Sequence, residues 1–361
     1  MESKSEKPLF LVLNYKDPND PEAGGAEKYC YEMSLNSVVD GFSVVWISRK
    51  HKRNRNVMDN PDIRYLNVGG KYTYYLVYLF KLLSFKPSAA LISINSIPYI
   101  IIPKEIKNKV IHIHHFIPFS VIKQKVKLLS PIAYVFQRYL LPYKFRNSVV
   151  STNGQGVKRE LEKLGFKKVF QIRTVVDRSL KRKINLLDLI LAPGALRPWK
   201  RPFDIITAYI ESNIKGKLVI FGRPENEQIL TDIQSLIKSK NLEKRVIVTP
   251  NITDDYKIEL YSQAIFAVVA PLKEGVGLSA LEPQAFGCPI IGYNVSGINE
   301  CIVNGVNGIL VKDGDIHSLG IAIKTLYEDI SLRNRMSAEC IRFSSNYDSK
   351  TAYLELKELL F

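Results

Sequence analysis

The strongest constraint on this chain is an alternation that runs along it twice. Short apolar, β-branched runs are separated by segments whose apolar residues recur at helical spacing. In the first half the runs are Leu9–Leu13, Val44–Ile47, Ala90–Ile94, Val110–Ile113 and Val149–Ser151. In the second they are Leu189–Ala192, Leu218–Phe221, Val246–Val248, Ala267–Ala270, Ile290–Tyr293 and Ile309–Val311. Strands alternating with helices form parallel sheets covered on both faces. With 361 residues, about twice a typical domain, the pattern predicts an α/β protein of two doubly wound domains. Ligands of such sheets gather at the carboxyl ends of the strands. The break is expected near Thr174–Asn185, where Asp177-Arg178-Ser179-Leu180-Lys181-Arg182-Lys183 is polar and strongly charged. A cleft between the domains would open above it.

Several function classes lose support from composition. Cys30, Cys288, Cys301 and Cys340 form no C-x-x-C pair and no zinc spacing, which predicts reduced thiols in a cytoplasmic protein. The acidic residues between Met1 and Pro8, and an apolar run that stops at Asn14, predict no signal peptide. The longest charge-free apolar stretch, Pro87–Pro103, is interrupted by Ser93, Asn95, Ser96 and Pro98, so it reads as a strand with its turns rather than a membrane span. The expectation is a soluble protein, or at most one peripheral on the cytoplasmic face of a membrane. Charge is uneven: residues 51 to 200 hold 28 Lys and Arg against 7 Asp and Glu, a net of +21, while the whole chain is +16. A basic first half suits an anionic membrane surface, a lipid phosphate or nucleic acid, unless it is only a solvated basic surface.

The segment richest in chemistry is Pro271–Pro283. Glu274 and Glu282 stand eight apart, Gly275 and Gly277 follow the first, and an apolar helical run surrounds the second. Carboxylates accept strong hydrogen bonds from vicinal hydroxyls, glycines let backbone approach closely, and a helix N-terminus favours phosphate. The combination suggests a sugar joined to a phosphate. Ser279-Ala280-Leu281-Glu282 also fits a capping box, in which Glu282 would only satisfy a backbone N–H, and Pro283 agrees with a helix that begins there.

Other segments are weaker by themselves. Gly24 and Gly25 lie at a strand–loop–helix junction and could present bare N–H groups to a diphosphate, or form an ordinary turn. They are not the G-x-G-x-x-G fingerprint of a nicotinamide enzyme. His112, His114 and His115 cluster at one strand end. His112 and His114 share a face by strand alternation, and His114 falls nearest the ligand edge. Without an acidic or cysteine partner at ligand spacing, a polar sugar contact fits His114 better than a metal. Between Val121 and Leu141 basic residues interleave with large apolar ones, as in a helix lying on an anionic membrane or an ordinary domain helix with a basic outer side. Arg197 and Lys200 follow the first strand of the second half and could neutralise a leaving diphosphate.

In order, these segments are a Gly-Gly-Ala-Glu loop, a histidine after a mid-domain strand, Gly-x-Leu-x-x-x-Lys, Glu-Gly-x-Gly-Leu-x-x-x-Glu and Gly297-Ile298-Asn299-Glu300. From about Leu9 to Asp315 the chain resembles the family 4 retaining glycosyltransferases. The resemblance implies the GT-B fold, two facing Rossmann-like doubly wound domains with a cleft between them. Residues 1–176 would be the acceptor-binding domain, with a C-terminal helix in 346–361 packing back on it, and 177–345 the nucleotide-sugar domain. It implies a hexosyltransferase with a nucleotide-sugar, a UDP- or GDP-sugar, as donor; the basic, aromatic segment Val121–Leu141 inclines the reading towards a glycan or lipid-linked acceptor in cell-surface glycan assembly. No tightly bound cofactor and no metal are implied; Asp313-Gly314-Asp315 reads as a turn.

Residue by residue, the resemblance assigns catalytic roles to Glu274, which would hold hydroxyls of the transferred sugar, and His114, which would touch it near the reacting centre. Glu282 would bind the ribose. Gly24, Gly25, Gly275, Gly277, Leu278 and Lys200, with Arg197, would surround the diphosphate. The chain departs from the family pattern at Ala195, where arginine is common, and at Thr174-Val175, Pro283 and Ser296-Gly297. A diphosphate contact is then lost unless Arg197 or Arg201 supplies it. Two other classes compete: a GT-B nucleotide-sugar epimerase, which would need no acceptor, and a basic nucleic-acid-binding protein. The second lacks a recognition helix, zinc knuckle or stacking sheet.

Overall fold

The computed structural model describes residues 7–51, 60–70, 73–94, 102–103, 106, 108–114, 130–177 and 187–361. His115, Asn95, Ser96 and Pro98 of the long apolar stretch, the basic run Val121–Leu129 and the charged residues after Asp177 lie outside the described residues. The chain divides into two units, one of Met1–Val175 with Asp348–Phe361, the other of Val176–Tyr347.

The first unit is built on seven parallel strands: β1 Leu9–Leu13, β2 Ser43–Ser48, β3 Ile63–Asn67, β4 Ala89–Ile94, β5 Lys109–Ile113, β6 Val149–Thr152 and β7 Lys168–Gln171, in the order β3-β2-β1-β4-β5-β6-β7. The second has six: β8 Leu189–Pro193, β9 Lys217–Gly222, β10 Val246–Pro250, β11 Phe266–Val269, β12 Ile290–Tyr293 and β13 Gly308–Val311, in the order β10-β9-β8-β11-β12-β13. Each order runs outward from its first strand in both directions, so each sheet has a switch point, at β1/β4 and β8/β11, where ligands of doubly wound sheets bind. The apolar runs of the sequence became the central strands. β3 and β7 had no such signal, because each is an edge strand with polar residues between apolar ones.

Strand alternation sorts the core of the first unit. Leu11, Leu13, Val45, Ile47, Ile111 and Ile113 point to one face, where Tyr74, Tyr78 and Leu82 of helix Tyr74–Leu82 meet them with Leu141 and Phe145. Phe10, Val12, Val44, Trp46 and Leu91 point to the other, against Tyr29, Cys30 and Met33 of helix Gly25–Val39. The C-terminal helix Ser349–Leu360 joins that second face through Ala352, Tyr353, Leu356 and Leu360. Asp40 accepts from Tyr353 Oη at 2.9 Å and pairs with Lys357 Nζ at 2.7 Å. The last helix is therefore part of the core. Leu356→Ala, at a fully buried position, is expected to destabilise the protein by about 3 kcal/mol in urea unfolding, whereas Lys357→Ala, at an exposed ion pair, should cost under about 1 kcal/mol.

All four cysteines are buried free thiols, and burial pushes the Cys30 thiol up to about 12. Among the described residues no helix is long and apolar enough to cross a membrane.

Candidate active site

In the second unit the site is assembled where β8 and β11 end. Gly194 follows β8 at φ 136° and Gly222 closes β9 at φ 141°. A Cβ on Gly222 would lie 2.0 Å from the Gly194 carbonyl oxygen, so only glycine lets these loops cross. The β8 loop then carries Arg197 and Lys200, and the Leu272 N–H donates to the Trp199 carbonyl at 2.8 Å, which ties it to the loop after β11. That tie sets Lys200 beside Glu274: the ammonium donates directly to Glu274 Oε1. Lys200 also lines a small open recess, together with Gly194, Ala195, Pro271 and Ser279 among others.

Glu274 is fixed from its other side as well. Its N–H donates to the Ser296 carbonyl at 3.0 Å, and Gly297, at φ 87°, passes so close that a Cβ there would stand 2.6 Å from the Glu274 carbonyl oxygen. Burial first, and the charge of Arg197 second, pull the Lys200 ammonium down to about 8. Arg197 itself lies over the Trp199 ring at 5.3 Å. The loop after β8 thus brings Lys200 both to the recess and into contact with Glu274 of the loop after β11.

The capping-box reading of Ser279–Glu282 is corrected by the structure. The helix runs Leu278–Gln284, its N-cap is Gly277 in left-handed backbone at φ 76°, and no side chain caps it. Pro283 is the sixth residue of the helix, not its start, one residue before the last. Glu282 turns to helix Asp254–Gln263 instead, where Tyr261 Oη donates to its Oε2 at 3.1 Å and Lys257 Nζ stands 3.3 Å from the same oxygen. Lys257 and Tyr261 carried no signal beyond lying four apart on one helix face. Gly275 and Gly277 leave the Glu274–Leu278 loop without side chains at those points. The first amides of the helix, at Leu278 and Ser279, have no carbonyl a turn earlier to bond.

In the first unit, Gly24 and Gly25 open helix Gly25–Val39. Here a capping box does form, with Glu27 Oε2 accepting from the Gly24 N–H at 2.7 Å. Glu27 is buried, which raises its carboxyl pKa. His112 and His114 do share one side of β5, their ring centroids 4.3 Å apart. They differ in surroundings. His112 is fully buried, stacked on Tyr29 at 4.5 Å, and hydrogen-bonded to Ser151 Oγ at 2.8 Å and Asn153 Oδ1 at 2.9 Å. Burial lowers it to about 4, so it is a neutral, structural imidazole. His114, just past the strand, meets Ser93 Oγ through Nε2 at 3.1 Å. Ser93, Ser151 and Asn153 were not singled out in the sequence; each sits at or just past the carboxyl end of its strand.

Among the described residues no group of three or more His, Cys, Asp or Glu could hold a metal ion. Asp315 caps helix Ile316–Glu328 by accepting from the Ser318 N–H at 2.9 Å, and Asp313 pairs with Arg201.

Residues 177–342 match the family model described as Glycosyl transferases group 1. The chain is 25% identical over 172 residues to D-inositol 3-phosphate glycosyltransferase of Corynebacterium glutamicum, covering 46% of this chain and 41% of that protein. It is 28% identical over 144 residues to a capsular polysaccharide biosynthesis glycosyltransferase of Staphylococcus aureus, covering 40% and 37%. These matches span less than half the length of the curated relatives. Among solved structures it is similar to sucrose-phosphate synthase from Thermosynechococcus elongatus, with a TM-score of 0.78 at 17% identity over 98% of both chains. Anabaena HepE, solved in complex with UDP and glucose, gives 0.75 at 17% identity over 97% and 98%. At that identity the likeness shows the fold alone, which is GT-B, with its two Rossmann-like units.

Proposed function

We propose, from the match of residues 177–342 to the model described as Glycosyl transferases group 1, that the chain is a retaining glycosyltransferase. It moves a hexose-type sugar from a nucleotide-sugar to a glycan or lipid-linked acceptor in cell-surface glycan assembly. The observation that carries this reading is the pairing of Lys200 with Glu274 at the recess after β8 and β11. It puts an ammonium able to pair with a diphosphate beside a carboxylate able to accept from sugar hydroxyls, the two chemistries a sugar diphosphate needs.

In this reading Glu274 holds hydroxyls of the transferred sugar, while Lys200, Arg197 and the backbone from Gly275 to Leu278 hold the diphosphate. Glu282 binds the ribose, and Tyr261 and Lys257 fix its orientation. Gly24, Gly25 and His114 are the first unit's share. With no second carboxylate placed as a nucleophile among the described residues, the reading has the acceptor attack on the face the diphosphate leaves, and the diphosphate take the acceptor proton. Stabilising that leaving charge is the main catalytic contribution. No metal or tightly bound cofactor takes part. The complex of HepE with UDP and glucose supports a UDP-sugar as the first donor to try.

Calorimetric titration against UDP- and GDP-sugars and the free nucleotides tests the reading. One nucleotide class should bind, and Glu282→Ala should weaken it by about 10- to 100-fold, the loss of one or two hydrogen bonds to a charged group. A folded protein that binds no nucleotide, or one whose affinity ignores Glu282, would remove the donor site from the second unit. Product analysis with donor alone separates transfer from epimerisation.

A further inference from the structure

We propose that one side of the first unit docks on an anionic lipid bilayer, through the outer face of helix Tyr74–Leu82 and of the segment Val135–Arg146. The inference deepens the acceptor side of the transferase reading and uses none of the donor residues. Helix Tyr74–Leu82 buries Tyr74, Tyr78 and Leu82 and leaves Leu76, Phe80 and the following Leu83 exposed at 71%, 75% and 62%. Those three fall at i, i+4 and i+7, one stripe opposite the buried one. The segment after Ser130 behaves alike: Leu141 and Phe145 are buried, while Val135, Tyr139, Leu140 and Tyr143 are exposed.

Tyr74, Tyr78, Leu82, Leu141 and Phe145 enter one core on one face of the first sheet. The outer stripes of both segments therefore belong to the same side of the unit. Single exposed apolar residues need no explanation, but two stripes over one core form a feature.

Charge selects the occupant. Lys81, Lys86, Arg138, Lys144 and Arg146 are exposed on these segments, and the Arg146 guanidinium lies 5.9 Å over the Tyr143 ring. Between Asp62 and Glu160 the sequence has 15 Lys and Arg and a single carboxylate, Glu105. A second copy of this chain would bring like charges together. A nucleic-acid backbone would take the cations and leave Leu76 and Phe80 in water. An anionic bilayer accepts both, lipid phosphates meeting the cations and the acyl boundary meeting the apolar tips.

The test is cosedimentation of the full chain with vesicles of phosphatidylcholine, alone or mixed equally with phosphatidylglycerol, at low and high salt. The variants are Leu76→Ser with Phe80→Ser, and Lys144→Glu with Arg146→Glu; all four positions are exposed, so unchanged melting confirms folding. Binding is expected only with phosphatidylglycerol, weakened about tenfold or more by either pair of substitutions and by salt. No binding to the mixed vesicles overturns the proposal, as does binding unchanged in the Leu76/Phe80 variant. Capture by an RNA duplex without vesicle binding also overturns it. Nucleotide-sugar titration of the same preparations reads the donor site separately, so vesicle binding without donor binding would fail the transferase reading and leave the docking surface standing.

Discussion

Glu274→Gln is expected to lower the second-order rate of sugar transfer by about 10²–10³-fold, the usual effect of removing one transition-state contact, and at the same time to tighten binding of the free nucleoside diphosphate. In the transferase reading the two effects have opposite signs because Glu274 would have two partners at different times. Without donor it accepts from Lys200. A diphosphate that needs the same ammonium must first displace the carboxylate, and the amide of Gln releases Lys200 more readily. The gain for UDP or GDP alone should reach up to about tenfold, about 1.4 kcal/mol. The sugar-nucleotide loses more than that, since its hydroxyls no longer meet a carboxylate. Calorimetry with both ligands at pH 6.5 keeps Lys200 protonated, as its pKa near 8 requires. Parallel weakening of both ligands would mean that Glu274 does not compete for Lys200, and transfer at the wild-type rate would remove Glu274 from the reaction.

The same pair shows how far the sequence could be read. Both sheets were legible as apolar runs because central parallel strands are buried on both faces and need no polar alternation. β3 and β7 were not. Ile63-Arg64-Tyr65-Leu66-Asn67 and Lys168-Val169-Phe170-Gln171 pair on one side only and keep exposed residues. Glu274 and Glu282 stood out through their spacing and their glycines, but what each carboxylate touches depends on distant segments. Lys200 lies 74 residues from Glu274, and Tyr261 lies 21 from Glu282. A local Ser-x-x-Glu pattern could not choose between a cap and a ligand contact. The left-handed Gly277, which starts the helix early, excludes the cap. His112 and His114 illustrate the same limit: alternation placed them on one side, and only packing against Tyr29, Ser151 and Asn153 separated a buried structural ring from one at the strand's open end.

Lys200 also predicts an unusual pH dependence. An ordinary lysine keeps its charge until about pH 10.4. Burial and Arg197 pull Lys200 down to about 8, while the Glu274 carboxylate beside it favours the charge, so the free enzyme is expected to lose this cation as pH rises from about 8 upward. Diphosphate binding favours the charged form and raises the pKa in the complex, so the fall belongs to kcat/KM and less to kcat. Above pH 8, kcat/KM is expected to drop by up to tenfold per pH unit until other contacts dominate. Lys200→Met should cost about 10²–10³-fold at pH 7, where the wild-type ammonium is present, and should level the profile above pH 8, because the titrating group is gone. Lys200→Arg separates charge from shape. Its planar guanidinium fits the position imperfectly and should give a lower plateau, but an arginine does not titrate in this range, so its profile should stay flat well beyond pH 8. A basic limb near pH 8 that persists in Lys200→Arg would assign the titration to another group and leave Lys200 as only the partner that holds Glu274 in place.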